Sequence, residues 1–159
     1  MFNVGDIICY PMHGVGKIES IEKKEVLGNE NEYYTLYFFF DGIQITVPTE
    51  KAIGIGLRNL IEPDKISQLL NQLKQQPEKE DSNWNKRYRT NLEKMRTGNV
   101  FLVAQVAKTL YTRNKVKNLS AGEKKMLDNA KQFIIGEISY ASNENEESTS
   151  ILIEECLES

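Results

Sequence analysis

Histidine occurs once in the 159 residues, at His13, so the chain offers no two-histidine metal site and no recognisable nucleophile–histidine triad. His13 sits in PMHGVG beside a turn signal, and a turn or surface role is the expectation for it. Cysteine occurs twice, Cys9 in an apolar run and Cys156 in an acidic terminal segment, a spacing that fits neither a disulfide framework nor a zinc knuckle. Both are expected to be free thiols. No apolar run approaches the roughly 20 residues that span a bilayer, and the segment MFNVGDIICYP carries neither a basic leader nor a cleavage site. A cytoplasmic protein without a membrane partner is expected. The short patterns GVG and GIG lack the GxGxxG or GxxxxGK context that cradles phosphate, and read as turns or bulges. No catalytic residue, metal or cofactor is indicated, and an enzyme is not expected.

What is present is ordinary in bulk and unusual in arrangement. Hydrophobic residues at 40% and charged residues at 27% suit a globular chain with a workable core. The net charge of −3 hides a segregation. Residues 1–62 hold five Lys or Arg against nine Asp or Glu, residues 82–132 hold twelve against three, and residues 133–159 hold none against seven. The basic charge is confined to one block.

The hydrophobic period changes at Pro63. Before it the chain reads as short strands: a run stopped by Pro11, an alternating stretch after Gly14 and Gly16, and YYTLYFFF, rich in β-formers on both faces. Asp41-Gly42 then marks a hairpin, followed by alternation to Pro48. AIGIGLRNLI is expected to return to the sheet. YYTLYFFF predicts a strand covered on both sides, by a small barrel or by a partner, with Phe38–Phe40 as core plus one edge residue. After Pro63, Ile66, Leu69, Leu70 and Leu73 follow a helical face. A second helix is expected to open on Asp81 or Ser82 with the stripe Trp84, Tyr88, Leu92 and Met95, and to stop at Gly98. A third covers about 100–117. A fourth opens on the capping box Ser120 to Glu123, and a last amphipathic piece packs through Ile151, Leu152 and Leu157. The expected fold is α+β: a small antiparallel barrel over 1–62 and an all-helical bundle over 63–159.

Binding chemistry concentrates at two helix starts. Lys86, Arg87 and Arg89 fall in the first two turns of the second helix, and Lys124 and Lys125 in the first turn of the fourth. Cations disfavour the positive end of a helix macrodipole, so helix stability does not explain them, whereas a phosphate backbone would reward them. A solvated basic face is the plain alternative. Trp84 by its stripe reads as core, yet it lies in the first turn after a linker, where cover is thin. Among these cations it could wedge against an unstacked base step.

These segments, VGDIICYPMHGVGKIESIE, VPTEKA, GLRNLI, NWNKRYRTNLEKMRTGN and NLSAGEKKMLDNAKQFIIGE, resemble in order and over nearly the whole chain the bacterial CarD/CdnL transcription regulators. The resemblance implies a Tudor-like N-terminal barrel that docks on the RNA polymerase β subunit and a helical domain that contacts promoter DNA at the upstream edge of the bubble. It implies that Trp84 is the minor-groove wedge, with Lys86, Arg87, Arg89, Lys124 and Lys125 at the matching basic positions. On the polymerase side it points to Lys24 and to Thr46, the latter a departure from the arginine frequent in the family. A monomer is expected. The competing reading is a protein-interaction adaptor whose basic helical face meets an acidic partner.

Overall fold

The computed structural model describes residues 1–159. Four antiparallel strands, β1 (Ile7–Tyr10), β2 (Gly14–Val26), β3 (Asn29–Phe38) and β4 (Gln44–Pro48), form one curled sheet in sequential order. Each connection is local. Gly14 (φ 78°) closes the β1–β2 turn, and Leu27-Gly28, both at positive φ, makes the two-residue turn that a right-twisted hairpin favours. Asp41-Gly42 links β3 to β4 as expected, with Gly42 at φ 69° and Asp41 accepting from the Ile43 amide at 3.0 Å.

Within YYTLYFFF the side chains alternate. Tyr34, Leu36 and Phe38 are buried with Ile8, Ile18, Val47 and Leu57 in the sheet's own core, while Tyr33, Thr35 and Tyr37 line the outer face. On that outer face Tyr33, Thr35 and Tyr37 are only partly buried, so of the two kinds of cover expected, barrel or partner, the chain's own elements do not complete it. AIGIGLRNLI also departs from expectation. It folds into a short helix, α1 (Ala52–Ile55), ended by Gly56 at φ 118°; Ala52 and Leu57 pack into the sheet's core, and its ladder contact with the sheet is an isolated bridge between Cys9 and Arg58.

A 3-10 turn over Pro63–Lys65 leads into α2 (Ile66–Lys74), α3 (Trp84–Arg96), α4 (Val100–Val116), α5 (Ala121–Ser142) and α6 (Glu146–Glu158). Gly98 at φ 69° ends α3, and the capping box of Ser120 and Glu123 opens α5. The second core is helical: Leu69, Leu73, Val103, Ala107, Leu110, Ile134, Ile153 and Leu157 are almost wholly buried. In α6 the inward side chains are Thr149, Ile153, Cys156 and Leu157. Ile151 (56% exposed) and Leu152 (39%) turn outward, so the expected packing holds only for Leu157. The acidic charge of α6 is used locally, Glu158 pairing with Lys115 and Glu154 with Lys131 at 2.9 and 2.6 Å.

The sheet and the helices are joined by an ion pair between a partly buried arginine and a wholly buried glutamate. Arg58 donates through both terminal nitrogens to Glu137 of α5 (2.6 and 2.8 Å) and to the Gly98 carbonyl (2.6 Å from Nη2). Glu137 is wholly buried and also accepts from the Ile61 amide at 2.6 Å. Cys9, from β1, lies in the helical core rather than the sheet's, with its Sγ 3.9 Å from Glu137. Burial and the neighbouring carboxylate push this thiol well above the usual cysteine range, so it is an inert packing group. Pro11 adds a further contact, so close to Gly98 that an added Cβ there would stand 2.9 Å from its ring.

Candidate nucleic-acid interface

Helix α3 begins one or two residues later than its sequence suggests, and the shift decides what Trp84 does. Asn83, not Asp81 or Ser82, is the cap: its side chain accepts from the Lys86 amide at 3.1 Å, and Asp81 in turn accepts from the Asn83 amide at 2.8 Å. Trp84 is therefore the first helical residue, with no preceding turn to cover it. Its side chain is 43% exposed.

The ring is nonetheless held. One face stacks on Tyr88 of the next turn, with centroids 5.0 Å apart and planes 17° from parallel. Tyr88 leans on Gly122 of α5, where a Cβ would already be in van der Waals contact at 3.4 Å. The indole Nε1–H donates to Glu123 at 3.2 Å. Glu123 also accepts from the Ser120 amide and hydroxyl (3.3 and 3.1 Å) and from Arg87 Nε (3.3 Å). Burial alone would raise the Glu123 carboxyl, but these donors outweigh it and hold it below the usual glutamate range.

Arg87 departs from the expected role. It is 5% exposed, and its Nε lies 3.3 Å from carboxylates of both Glu80 and Glu123, so it is an internal strut rather than a group free to meet phosphate. The reason is helical phase: Arg87 shares the inward face of α3 with Asn91 and Met95. Glu80 is pushed up by its burial, which exceeds the pull of Arg113 and Arg87.

Lys86 and Arg89, three residues apart, share the solvent side of α3. Lys124 and Lys125 are exposed in the first turn of α5, immediately after Glu123. Lys125 lines a groove of about 570 Å³ between sheet and helices, with Met12, His13 and Phe40. His13 pairs there with Asp41 at 3.2 Å and stacks on Phe38. Phe39 is half-buried against Tyr140, and Phe40 is 65% exposed. The structure thus gathers Trp84, Lys86, Arg89 and Lys124 near the starts of α3 and α5, turns Arg87 inward and sets Lys125 around the helix.

Lys24 and Thr46 are both exposed and lie on the outer face of the sheet. Their β3 partners, Asn31 and Thr35, are four residues apart and so point the same way, flanking Tyr33, with Tyr37 beyond Thr35 under Lys17 at 5.9 Å. Tyr33, Tyr37 and Glu123 escaped the sequence reading. The period-2 alternation inside YYTLYFFF pointed to the first two, and the capping box marked Glu123 as a helix-start residue but not its burial or its grip on the indole.

Two family models match this architecture, a CarD-like/TRCF RID domain over residues 2–61 and the CarD C-terminal domain over residues 68–154. The chain belongs to the CarD family. The Bacillus subtilis (strain 168) protein YdeB, named as a candidate transcription factor, is 36% identical over 138 residues, covering 87% of this chain and 90% of YdeB. The solution structure of the 72-residue N-terminal domain of Myxococcus xanthus CarD is 36% identical over 37% of this chain and 79% of its own, with a TM-score of 0.32. As a CarD-family member the protein is a transcription regulator, and its RID domain implies interaction with RNA polymerase.

Proposed function

We propose that the protein docks on the RNA polymerase β subunit through the outer face of its sheet, around Lys24 and Thr46, and stabilises the promoter open complex through Trp84. The carrying observation is the indole: half-exposed, backed by Tyr88 and tied by its N–H to Glu123, with Lys86, Arg89 and Lys124 free at the surrounding helix starts. A free-standing ring would yield when pressed into a base step. This one is braced from behind by two helices.

Few phosphate contacts imply weak, steeply salt-dependent DNA affinity, micromolar or poorer at physiological salt. Docking on polymerase holds the helices at an effective concentration of about millimolar beside the promoter, enough to fill a weak site. Wedging an intact duplex costs a few kcal/mol of unstacking, whereas at the bubble edge polymerase has already disrupted that step. The protein therefore favours the open state, and a difference of about 1.4 kcal/mol shifts the equilibrium tenfold. No base-reading helix is required, and response to DNA shape and melting follows.

Forked DNA separates this reading from an adaptor that binds only proteins. At low salt the protein should bind a fork more tightly than a blunt duplex of the same sequence, and Trp84→Ala should remove the preference. Equal and negligible binding to both would favour the adaptor.

A further inference from the structure

Beside Trp84, on a side that Tyr88 does not line, a cleft of about 380 Å³ opens between the end of α4 and the start of α5. Its rim carries Arg113, Lys117 and Asn118, none of which the sequence marked out. The cleft holds one carboxylate, Glu123, which is buried and already engaged by Ser120, Trp84 and Arg87. Glu80, outside the cleft, is paired with Arg87 at 3.3 Å and also feels the charge of Arg113 from beyond ion-pair distance. Arg113 and Lys117 have no carboxylate within 4.0 Å, whereas Lys115 and Lys131 of the same bundle are both neutralised by α6. Cations near the end of α4 suit its macrodipole, but Lys115 and Arg113 already supply charge in the last turn, and Lys117 stands beyond it.

We propose that this cleft holds the sugar–phosphate backbone of the strand next to the wedged step, with Arg113 and Lys117 each taking a phosphodiester. The inference rests on the nucleic-acid reading of Trp84 and deepens it. The indole enters the base step from the bracket formed by Tyr88 and Glu123, and the backbone leaving that step passes Arg113 and Lys117, the cations of the ring's cleft that make no ion pair within 4.0 Å. Arg113 presents a planar fork suited to phosphate oxygens, and Lys117 a mobile point charge. Glu123 is kept from repelling the strand by its own donors.

The salt dependence of forked-DNA binding by the full chain tests this. Each phosphate contact removed should flatten the slope of log K against log salt by about 1. Lys117→Gln should flatten it by about 1 and Arg113→Gln/Lys117→Gln by about 2, while Lys51→Gln/Lys65→Gln, far from the cleft, leaves it unchanged. Trp84→Ala should weaken binding without altering the slope. Lys117→Gln lies outside any helix and is not expected to disturb folding, so a wild-type slope in that variant overturns the assignment even if the double variant unfolds. Absence of wild-type binding at every salt concentration would instead overturn the nucleic-acid reading and this inference with it.

Discussion

At the scale of single residues, neighbouring cations of one helix carry opposite duties. Arg87 and Arg89 are indistinguishable by type and spacing, yet Arg87 is sealed between Glu80 and Glu123 while Arg89 faces water. Removing one partner of a buried ion pair strands the others, at a cost of about 3–5 kcal/mol. Arg87→Ala should therefore lower the thermal midpoint by several degrees and, by freeing Glu123, loosen Trp84. Arg89→Ala should leave the midpoint within a degree or two and weaken forked-DNA binding. A calorimetric scan and a binding titration on both variants check the pair; equal midpoints would show that Arg87 is not a strut. The sequence could not separate them, because the phase of α3 is set by its packing on α4 and α5 and by the Asn83 cap. Trp84 was legible as the ring among cations; of its bracket, Tyr88 follows from the i, i+4 stripe of α3, whereas Glu123 meets the indole only through tertiary contact.

At the scale of elements, the start of α5 serves two purposes with one carboxylate. The capping box was readable from Ser120 and Glu123, and local chemistry sufficed because its partners are three residues apart. The same Glu123 anchors α3 through Trp84 and Arg87. Its carboxyl is held below the usual value, so its contribution to stability is fully present above pH about 4.3 and is lost as pH falls through the lower folded value. Glu80, raised by burial, protonates earlier, and its neutralisation removes a strain rather than a support. Fluorescence of Trp84, the only indole in the chain, should thus keep the Glu123-dependent signal through the ordinary glutamate range and lose it only at more acid pH. Glu123→Gln should abolish that acid step; an unaltered step would place it elsewhere. The β-elements were equally legible wherever a turn was local, as at Asp41-Gly42. AIGIGLRNLI misled because its apolar spacing suits a short helix as well as a strand; the helix it forms ends at Gly56, which packs against Pro11.

At the scale of the whole molecule, the α+β plan with strands before Pro63 and helices after it was readable from the change of period, but the mutual placement of the parts was not. It depends on Arg58 and Glu137, 79 positions apart, and on Cys9 crossing into the helical core. This lock fixes the direction from the outer sheet face to Trp84, as a tethered wedge requires. Arg58→Met leaves Glu137 buried with little compensation and should cost about 3 kcal/mol or more. Hydrogen exchange at the Ile61 amide should accelerate, and small-angle scattering should report a larger radius of gyration; an unchanged radius and exchange rate would mean the apolar contacts hold the parts alone. The account rests finally on what the braced indole does to a melted promoter, and the lifetime of the open complex on one promoter, after challenge with competitor, measures that directly. The wild-type protein should prolong it, and Trp84→Ala, folded and bound to polymerase with unchanged affinity, should return it to the value without the protein. A folded Trp84→Ala variant that prolongs the complex as well as the wild type would contradict the account.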